Sequence, residues 1–408
     1  MTRSTPLSPF PTLDDAQFAG KAILVRVDLN VPIDNGKITD ATRIDRILLN
    51  LREISEKGGK VVILSHLGRP KGDPNPNLSL GPVVPALAER LGQPVAFATD
   101  CIGQSAKDAV AVLNNGEYLL LENTRFHKGE ESNDSSFAAA LAELGDLYVN
   151  DAFSTAHRAH ASTEGLARHL PSFAGRSMQM EIEMLTNMLA HPVRPLAAVV
   201  GGAKISTKLE LLGNLMRKVE YLFIGGGMAN TFLAASGKSI GKSLCEMDLA
   251  DVARKIMADA EAAHCQIVLP VDVIVARQLA PHVPVRAVPV ENVDPDEMIL
   301  DIGPRSISKV VGLLASARTL LWNGPFGAFE VPPFDTGTMA IAKVAAQLTQ
   351  ARALETIAGG GDTIAALNQA GVYDQLTYVS TAGGAFLEWL EGKSLPGVEA
   401  LRSHRRPL

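Results

Sequence analysis

Short, uninterrupted apolar runs alternate along the chain with longer stretches in which apolar residues recur at helical spacing. In the first half the runs are AILVRVDL, KVVILSHL, PVAFATD, YLLLENT and DLYVNDAF. In the second they are LAAVVGG, YLFIGGG, QIVLPVDVIVA, TLLWNGP, ETIAGGG and LTYVSTAGG. Apolar runs without polar alternation predict strands covered on both faces, as in a parallel sheet flanked by helices. Between the first two runs Ile44, Ile47, Leu48, Leu51 and Ile54 fall at helical spacing, and Gly58-Gly59 stops the helix. Right-handed crossovers between such strands predict an α/β fold of two doubly wound, parallel-sheet, Rossmann-like lobes.

A second helical pattern runs from about Arg176 to Ala190 and meets the Pro-bracketed HPVRP, which predicts a hinge helix joining the lobes. The expected division is 1–175 for the N-terminal lobe, 176–195 for the inter-lobe helix and hinge, and 196–394 for the C-terminal lobe. Residues 395–408 form a C-terminal segment able to pack back on the first lobe, ending in the basic tail RSHRRPL. A length of 408 residues fits two domains better than one.

Composition narrows the function. A net charge of −6 argues against nonspecific nucleic-acid binding, which needs a basic face, so any anion site must come from local clusters. No run approaches the roughly 20 apolar residues that span a bilayer. MTRSTPLSPFPTLDD has no apolar core of a secretory signal. Cys101, Cys245 and Cys265 lie far apart and form no CxxC pair, which argues against a disulfide framework and a zinc knuckle and fits a reducing cytoplasm.

In open α/β sheets ligands sit outside the carboxyl ends of the strands, so the residues just after each run carry the chemistry. In the first half those ends are RVDLNVP (26–32), SHLGRP (65–70), ENTRFH (122–127) and AHRAH (156–160). Guanidinium forks bind carboxylate and phosphate oxygens bidentately, and several converging arginines hold a small, multiply charged anion. Arg43, early in the first helix, can add a further one. In the second half the ends carry glycine: GGAK (201–204), IGGGMA (224–229), NGPFGAFE (323–330), GGGDT (359–363) and STAGGA (380–385). Glycine turns leading into helices bring backbone N–H groups close to phosphate oxygens. Asp362 suits Mg²⁺ as a hard oxygen ligand and Thr363 a phosphate. Lys204 and Lys208, four apart, would share a helical face toward the phosphates.

Three motifs need weighing. DAFSTAHRAHAST, with His157 and His160 around Arg158, is open from the motif alone between a helical turn with its polar side chains in solvent, a metal site, a nucleophile relay and an anion pocket. SGKSIGKS (236–243) is not a P-loop, because Gly237 stands four residues before Gly241 where GxxxxGK[ST] needs five. The first strand lacks a following GxGxxG, which weakens a nicotinamide-dependent dehydrogenase. An anion-binding lobe and a nucleotide-binding lobe suit a small-molecule kinase, whose phosphoryl transfer needs two ligands in line, charge neutralised and water excluded by closure on the hinge.

RVDLNVP, SHLGRP, DAFSTAHRAHAS, WNGPFGAFE and GGGDT, in this order and spacing, closely resemble the phosphoglycerate kinase family, from RVDLNVP to LEGKSLPGV. The resemblance implies reversible transfer of the acyl phosphate of 1,3-bisphosphoglycerate to Mg-ADP, giving 3-phosphoglycerate and ATP, by a cytoplasmic, typically monomeric enzyme of glycolysis and gluconeogenesis. It implies substrate contacts from Asp28, Leu29, Asn30, Arg43, His66, Leu67, Gly68, Arg69, Arg125, Arg158 and His160. Arg43 takes the position that neutralises the phosphoryl group in flight, and Lys208, assisted by Lys204, the position that reaches the nucleotide phosphates. Glu330 resembles the ribose ligand and Gly360, Gly361, Asp362 and Thr363 the phosphate and magnesium loop, with Asp362 on the metal. Gly383 and Gly384 resemble the turn facing the transferring phosphoryl. On this reading HRAH belongs to the phosphoglycerate pocket. Relatives often carry Gly where Ala382 stands and Asp where Thr207 stands; a positive φ would strain Ala382. The rival reading is an inactive phospho-ligand-binding module that kept the pocket and lost turnover.

Overall fold

The five apolar runs of the first half all become strands in the computed structural model, which describes residues 10–34, 36–190 and 192–402. They are β1 (Ala22–Arg26), β2 (Lys60–Leu64), β3 (Val95–Ala98), β4 (Tyr118–Leu121) and β5 (Leu147–Asn150), joined at the edge by β6 (Ser172–Ala174). All pair in parallel, in the order β3-β4-β2-β1-β5-β6. Alternate residues serve opposite cores. Ile23, Val25, Val61, Ile63 and Val149 pack with Ile44, Ile47, Leu51 and Ile54 of the helix Thr42–Glu56. Leu24, Val62, Leu64 and Tyr148 pack with Ala106, Phe137, Leu141 and, from the helix Pro396–Arg402, Ala400. Both faces are covered, which is why these strands show no polar alternation.

The chain divides into two compact units: residues up to Glu183 together with those from Ser394 on, and Met184–Lys393. The division falls inside the helix Arg176–Ala190. On the first unit the Gly397 N–H donates to Ala156 O at 2.9 Å, just beside HRAH. The basic tail beyond Arg402 and residues 1–9 of the N-terminal stretch lie outside the described residues.

The second unit carries β7 (Leu196–Val200), β8 (Tyr221–Ile224), β9 (Gln266–Val268), β10 (Asp272–Ala276), β11 (Arg286–Pro289), β12 (Met298–Ile302), β13 (Thr319–Asn323), β14 (Glu355–Gly359) and β15 (Tyr378–Ser380). Six of them form a parallel sheet ordered β9-β8-β7-β13-β14-β15; β11-β10-β12 form a small antiparallel sheet. QIVLPVDVIVA, read above as one strand, is therefore two strands in different sheets. Pro270, having no N–H for a ladder, separates them. In each parallel sheet the winding reverses at its first strand, β1 beside β5 and β7 beside β13, and ligands of such sheets bind outside that switch point.

At the second switch point the glycines meet each other before any ligand. The Gly201 N–H donates to Asn323 O at 2.8 Å. A Cβ at Gly201 would lie 1.9 Å from Pro325 O, a backbone atom that cannot swing aside. Gly201→Ala is accordingly expected to destabilise the protein by about 3 kcal/mol or more, as forced overpacking does; denaturant unfolding measures it, and a loss under about 1 kcal/mol would contradict this packing.

Candidate active site

Four segments leaving β1, β2, β4 and β5 assemble a basic group on the first unit. Arg26, the last residue of β1, is fully buried. Its Nε donates to Ser162 Oγ at 2.8 Å and its Nη2 lies 3.1 Å from His66 Nδ1. Ser162 in turn donates from Oγ to Glu130 Oε1 at 2.5 Å and from N to Oε2 at 2.9 Å, so a buried carboxylate is bound into the same network. Burial drives the His66 pKa well below its ordinary value, and the guanidiniums of Arg26, Arg125 and Arg43 add to that effect. His66 is thus neutral, with Nδ1 accepting from Arg26 and Nε2 left to donate.

Asp28 follows β1 and is engaged on both oxygens. Its Oδ1 accepts from the Asn30 N–H at 3.0 Å, and its Oδ2 takes Arg43 and the Ser154 hydroxyl. Burial would raise its pKa, but Arg43, Ser154 and the Asn30 N–H together hold the carboxyl below its ordinary value. Asn30 Oδ1 accepts from the Gly68 N–H at 2.8 Å, tying the β1 and β2 loops together. Arg125 is buried and its Nη1 donates to Gly68 O at 2.7 Å. Arg69 is exposed and has no ion pair among the described residues. Leu29 and Leu67 have their side chains in the core, so only their backbone is at the site.

HRAH lies at the same end of the sheet. Arg158 Nε donates to His157 Nε2 at 3.2 Å. Burial, with Arg158, lowers the His157 pKa; burial, with Arg125, Arg26, Arg158 and His157, lowers that of His160 to about 4. Both imidazoles are neutral at physiological pH. Among the described residues neither joins a cluster of three potential metal donors, so the metal-site reading of HRAH gains no support. Buried His160 Nδ1 lacks a hydrogen-bond partner among the described residues, while Arg125 Nε lies 3.3 Å from Glu131 Oε1 and the Ser154 backbone holds His157.

Next to HRAH, Asp151 Oδ1 caps the helix Arg176–Ala190 through the Ser177 and Met178 N–H groups, at 2.8 and 3.0 Å. Complete burial pushes its pKa up to about 7 against those hydrogen bonds. A carboxyl with a raised folded pKa contributes most while protonated; that contribution is whole below the unfolded value near 3.8 and is lost as pH rises through about 7. Relative to wild type, Asp151→Asn should therefore gain stability between pH 4 and 7, at most about 1.4 kcal/mol per pH unit. Unfolding curves at the two ends of that window test it; a pH-independent difference would refute the assignment.

On the second unit Lys208 is the central cation. Its ammonium donates to Asn323 Oδ1 at the end of β13. Burial lowers its pKa to about 8, opposed by Asp362 and Glu391. Lys204 does not share a helical face with it, contrary to the spacing argument. Lys204 precedes a 3₁₀ turn, Ile205–Thr207, that separates it from the helix Leu209–Leu215, and it is exposed. Thr207 is exposed and its hydroxyl donates to Lys204 O at 2.9 Å, closing that turn.

Asp362 stands exposed in the first turn of the helix Gly361–Gln369. Thr363 is buried and its Oγ1 accepts from the Gly324 N–H at 2.7 Å, so it joins two loops and is not turned outward as the GGGDT motif suggested. Glu330 is exposed. Gly360 (φ +99°) leads into Gly361, around which a Cβ would meet nothing, and Gly383 (φ +53°), followed by exposed Gly384, is similarly open. Ala382 is not among the residues with positive φ, so its Cβ brings no backbone strain. Sequence reasoning missed two members of these groups. Arg26 opens the quoted RVDLNVP but reads as a strand residue, and Asn323 opens NGPFGAFE, where glycine drew attention.

A family model described as phosphoglycerate kinase matches residues 13–393. The chain is 63% identical over 393 residues to a phosphoglycerate kinase of Azorhizobium caulinodans, across 96% of this chain and 99% of that one. It is 62% identical over 394 residues to one of Xanthobacter flavus, with the same coverage. Among solved structures, phosphoglycerate kinase from Coxiella burnetii aligns with a TM-score of 0.90 at 43% identity, covering 97% of this chain and 99% of that one. Phosphoglycerate kinase from Pyrococcus horikoshii aligns with a TM-score of 0.81 at 31% identity, with the same coverage.

Proposed function

The chain belongs to the phosphoglycerate kinase family, and from that membership we propose which of its residues carry the family's reaction. The reaction is the reversible transfer of the acyl phosphate of 1,3-bisphosphoglycerate to ADP, giving 3-phosphoglycerate and ATP. Substrate binding falls to the first unit. Arg125, Arg158 and exposed Arg69 take the carboxylate and phosphate oxygens, and His66 and His160, both neutral, donate hydrogen bonds without competing for protons. Asp28 and Asn30 position that group, Asp28 by holding Arg43 and Asn30 by holding the Gly68 loop. The observation that carries this reading is the convergence of Arg125, Arg158 and the neutral His66 and His160 at one end of the first sheet, with buried His160 Nδ1 lacking a hydrogen-bond partner among the described residues. Buried polar atoms left unsatisfied in the protein alone are costly unless a polar ligand meets them.

Arg43 acts on the transferring group, where a guanidinium stabilises charge that is greatest in the transition state. Lys208 meets the nucleotide phosphates and the same group, held in place by Asn323, with Lys204 assisting from the exposed turn. The backbone at Gly360–Gly361 and Gly383–Gly384 approaches phosphate oxygens, and Glu330 takes the ribose hydroxyls. Asp362 suits Mg²⁺: it is an exposed hard carboxylate with no hydrogen bond among the described residues, beside Lys208. The ion, arriving with the nucleotide, neutralises phosphate charge. We further propose a cytoplasmic monomer, as membership of the family implies, with its three cysteines free.

The test is ATP consumption with 3-phosphoglycerate and Mg²⁺, with the bisphosphate trapped by a dehydrogenase and NADH. Turnover dependent on both substrates is expected. Tight binding of both ligands by folded protein without turnover would favour the inactive binding module instead.

A further inference from the structure

On the first unit three donor side chains of different chemistry converge, none of them among those assigned to phosphoglycerate. Asp100 and Cys101 lie between β3 and the helix Gly103–Ala111, and His127 ends the 3₁₀ turn Thr124–Phe126 that carries Arg125. Their ligand atoms all lie within 4.8 Å of one another, and among the described residues no other group of three or more His, Cys, Asp or Glu does so. We propose that Asp100, Cys101 and His127 form a three-ligand site for a thiophilic divalent cation, Zn²⁺ being the natural occupant, with a water completing a tetrahedron.

The local geometry favours this over an incidental contact. His127 Nε2 already lies 2.7 Å from Asp100 Oδ1, and the ring is stacked on Phe137 with centroids 5.1 Å apart, so its direction is set. Asp100 Oδ1 also accepts from the Cys101 and Ile102 N–H groups at 2.6 and 3.3 Å, which fixes the carboxylate plane. Zn–S near 2.3 Å and Zn–N or Zn–O near 2.0–2.2 Å require donors about 3.3–3.7 Å apart, reached by shifts of about 1 Å or less. An open pocket of 530 Å³, lined by Ile102, His127, Lys128, Gly129, Asp134 and Phe137 among others, gives the ion a route from solvent.

Cys101 is buried, and the carboxylates of Asp100, Glu130 and Glu122 surround it with negative charge that a cation would meet. On binding, the thiol proton leaves to solvent and His127 places its remaining proton on Nδ1. Mg²⁺, a hard ion that prefers oxygen, is not a competitor here. No CxxC spacing announces the site, because Cys101 and His127 are brought together only by the adjacent β3 and β4.

The experiment is equilibrium dialysis of the full chain with Zn²⁺, paired with Co²⁺ titration followed by thiolate-to-cobalt charge-transfer absorption. One equivalent of ion and a charge-transfer band are expected. Cys101→Ser should abolish the band, and His127→Gln should weaken binding at least ~10–100-fold, the loss that even outer-shell partners cause. Cys245→Ser should change neither. The His127 side chain is 30% exposed, so that variant tests the site without emptying the core. A band that survives Cys101→Ser, affinity unchanged in His127→Gln, or no stoichiometric Zn²⁺ would overturn the proposal.

Discussion

Arg43→Ala is expected to lower turnover by about 10²–10³-fold, the loss typical of removing one preorganised transition-state donor, while weakening 3-phosphoglycerate binding less than ~10-fold. The difference follows from what surrounds each guanidinium. Arg26 and Arg125 are buried in the pocket wall, and Arg158 lies against His157. On the proposed assignment Arg125 and Arg158 hold the ligand's charge whether or not the phosphoryl group is moving. The Arg43 side chain is 36% exposed and, among the described residues, bound only to Asp28, so its removal empties no core. Asp28 keeps Ser154 and the Asn30 N–H, so the loop it organises should persist. Steady-state kcat and a calorimetric Kd on the same preparation separate the two effects, and equal losses in both would contradict the assignment.

Lys208→Met should be comparably severe, lowering kcat by about 10²-fold or more and weakening ADP as well, because on the proposed assignment one ammonium serves both the bound phosphates and the group in transit. The wild type carries its own internal test. With a pKa lowered to about 8, Lys208 is charged below that value and loses its proton above it. The kcat/KM for ADP should therefore fall as pH rises through about 8. In the complex the phosphates restore the proton, so kcat should fall later. The same alkaline limb in Lys208→Met would assign it to another group.

The parallel sheets were legible because their strands are buried on both faces and so announce themselves as apolar runs. Very short or exposed strands and interruptions were not. Ser172–Ala174 is too short to stand out, and β11 is largely exposed, so neither carries a pattern. Pro270 sits in a run so apolar that its lost N–H was outweighed in the reading. At the site, residues adjacent in sequence to strand ends were found, since topology places those ends together. Partnerships across the sheet were not: Lys208 meets Asn323, 115 residues away, through the pairing of β7 with β13. Glycine was the ambiguous sign. Gly201 and Gly324 are glycine because their backbones touch, whereas Gly361 and Gly383 face open space. A sequence shows both kinds as the same letter.

The division of labour between the two units is tested most directly by calorimetric titration of wild type, Arg125→Met and Lys208→Met, each with 3-phosphoglycerate and with Mg-ADP. Arg125→Met should lose 3-phosphoglycerate affinity and keep that for Mg-ADP, and Lys208→Met should show the opposite pattern. Loss of both ligands in either folded variant, or retention of 3-phosphoglycerate binding by Arg125→Met, would show that the two groups of residues do not hold the ligands assigned to them.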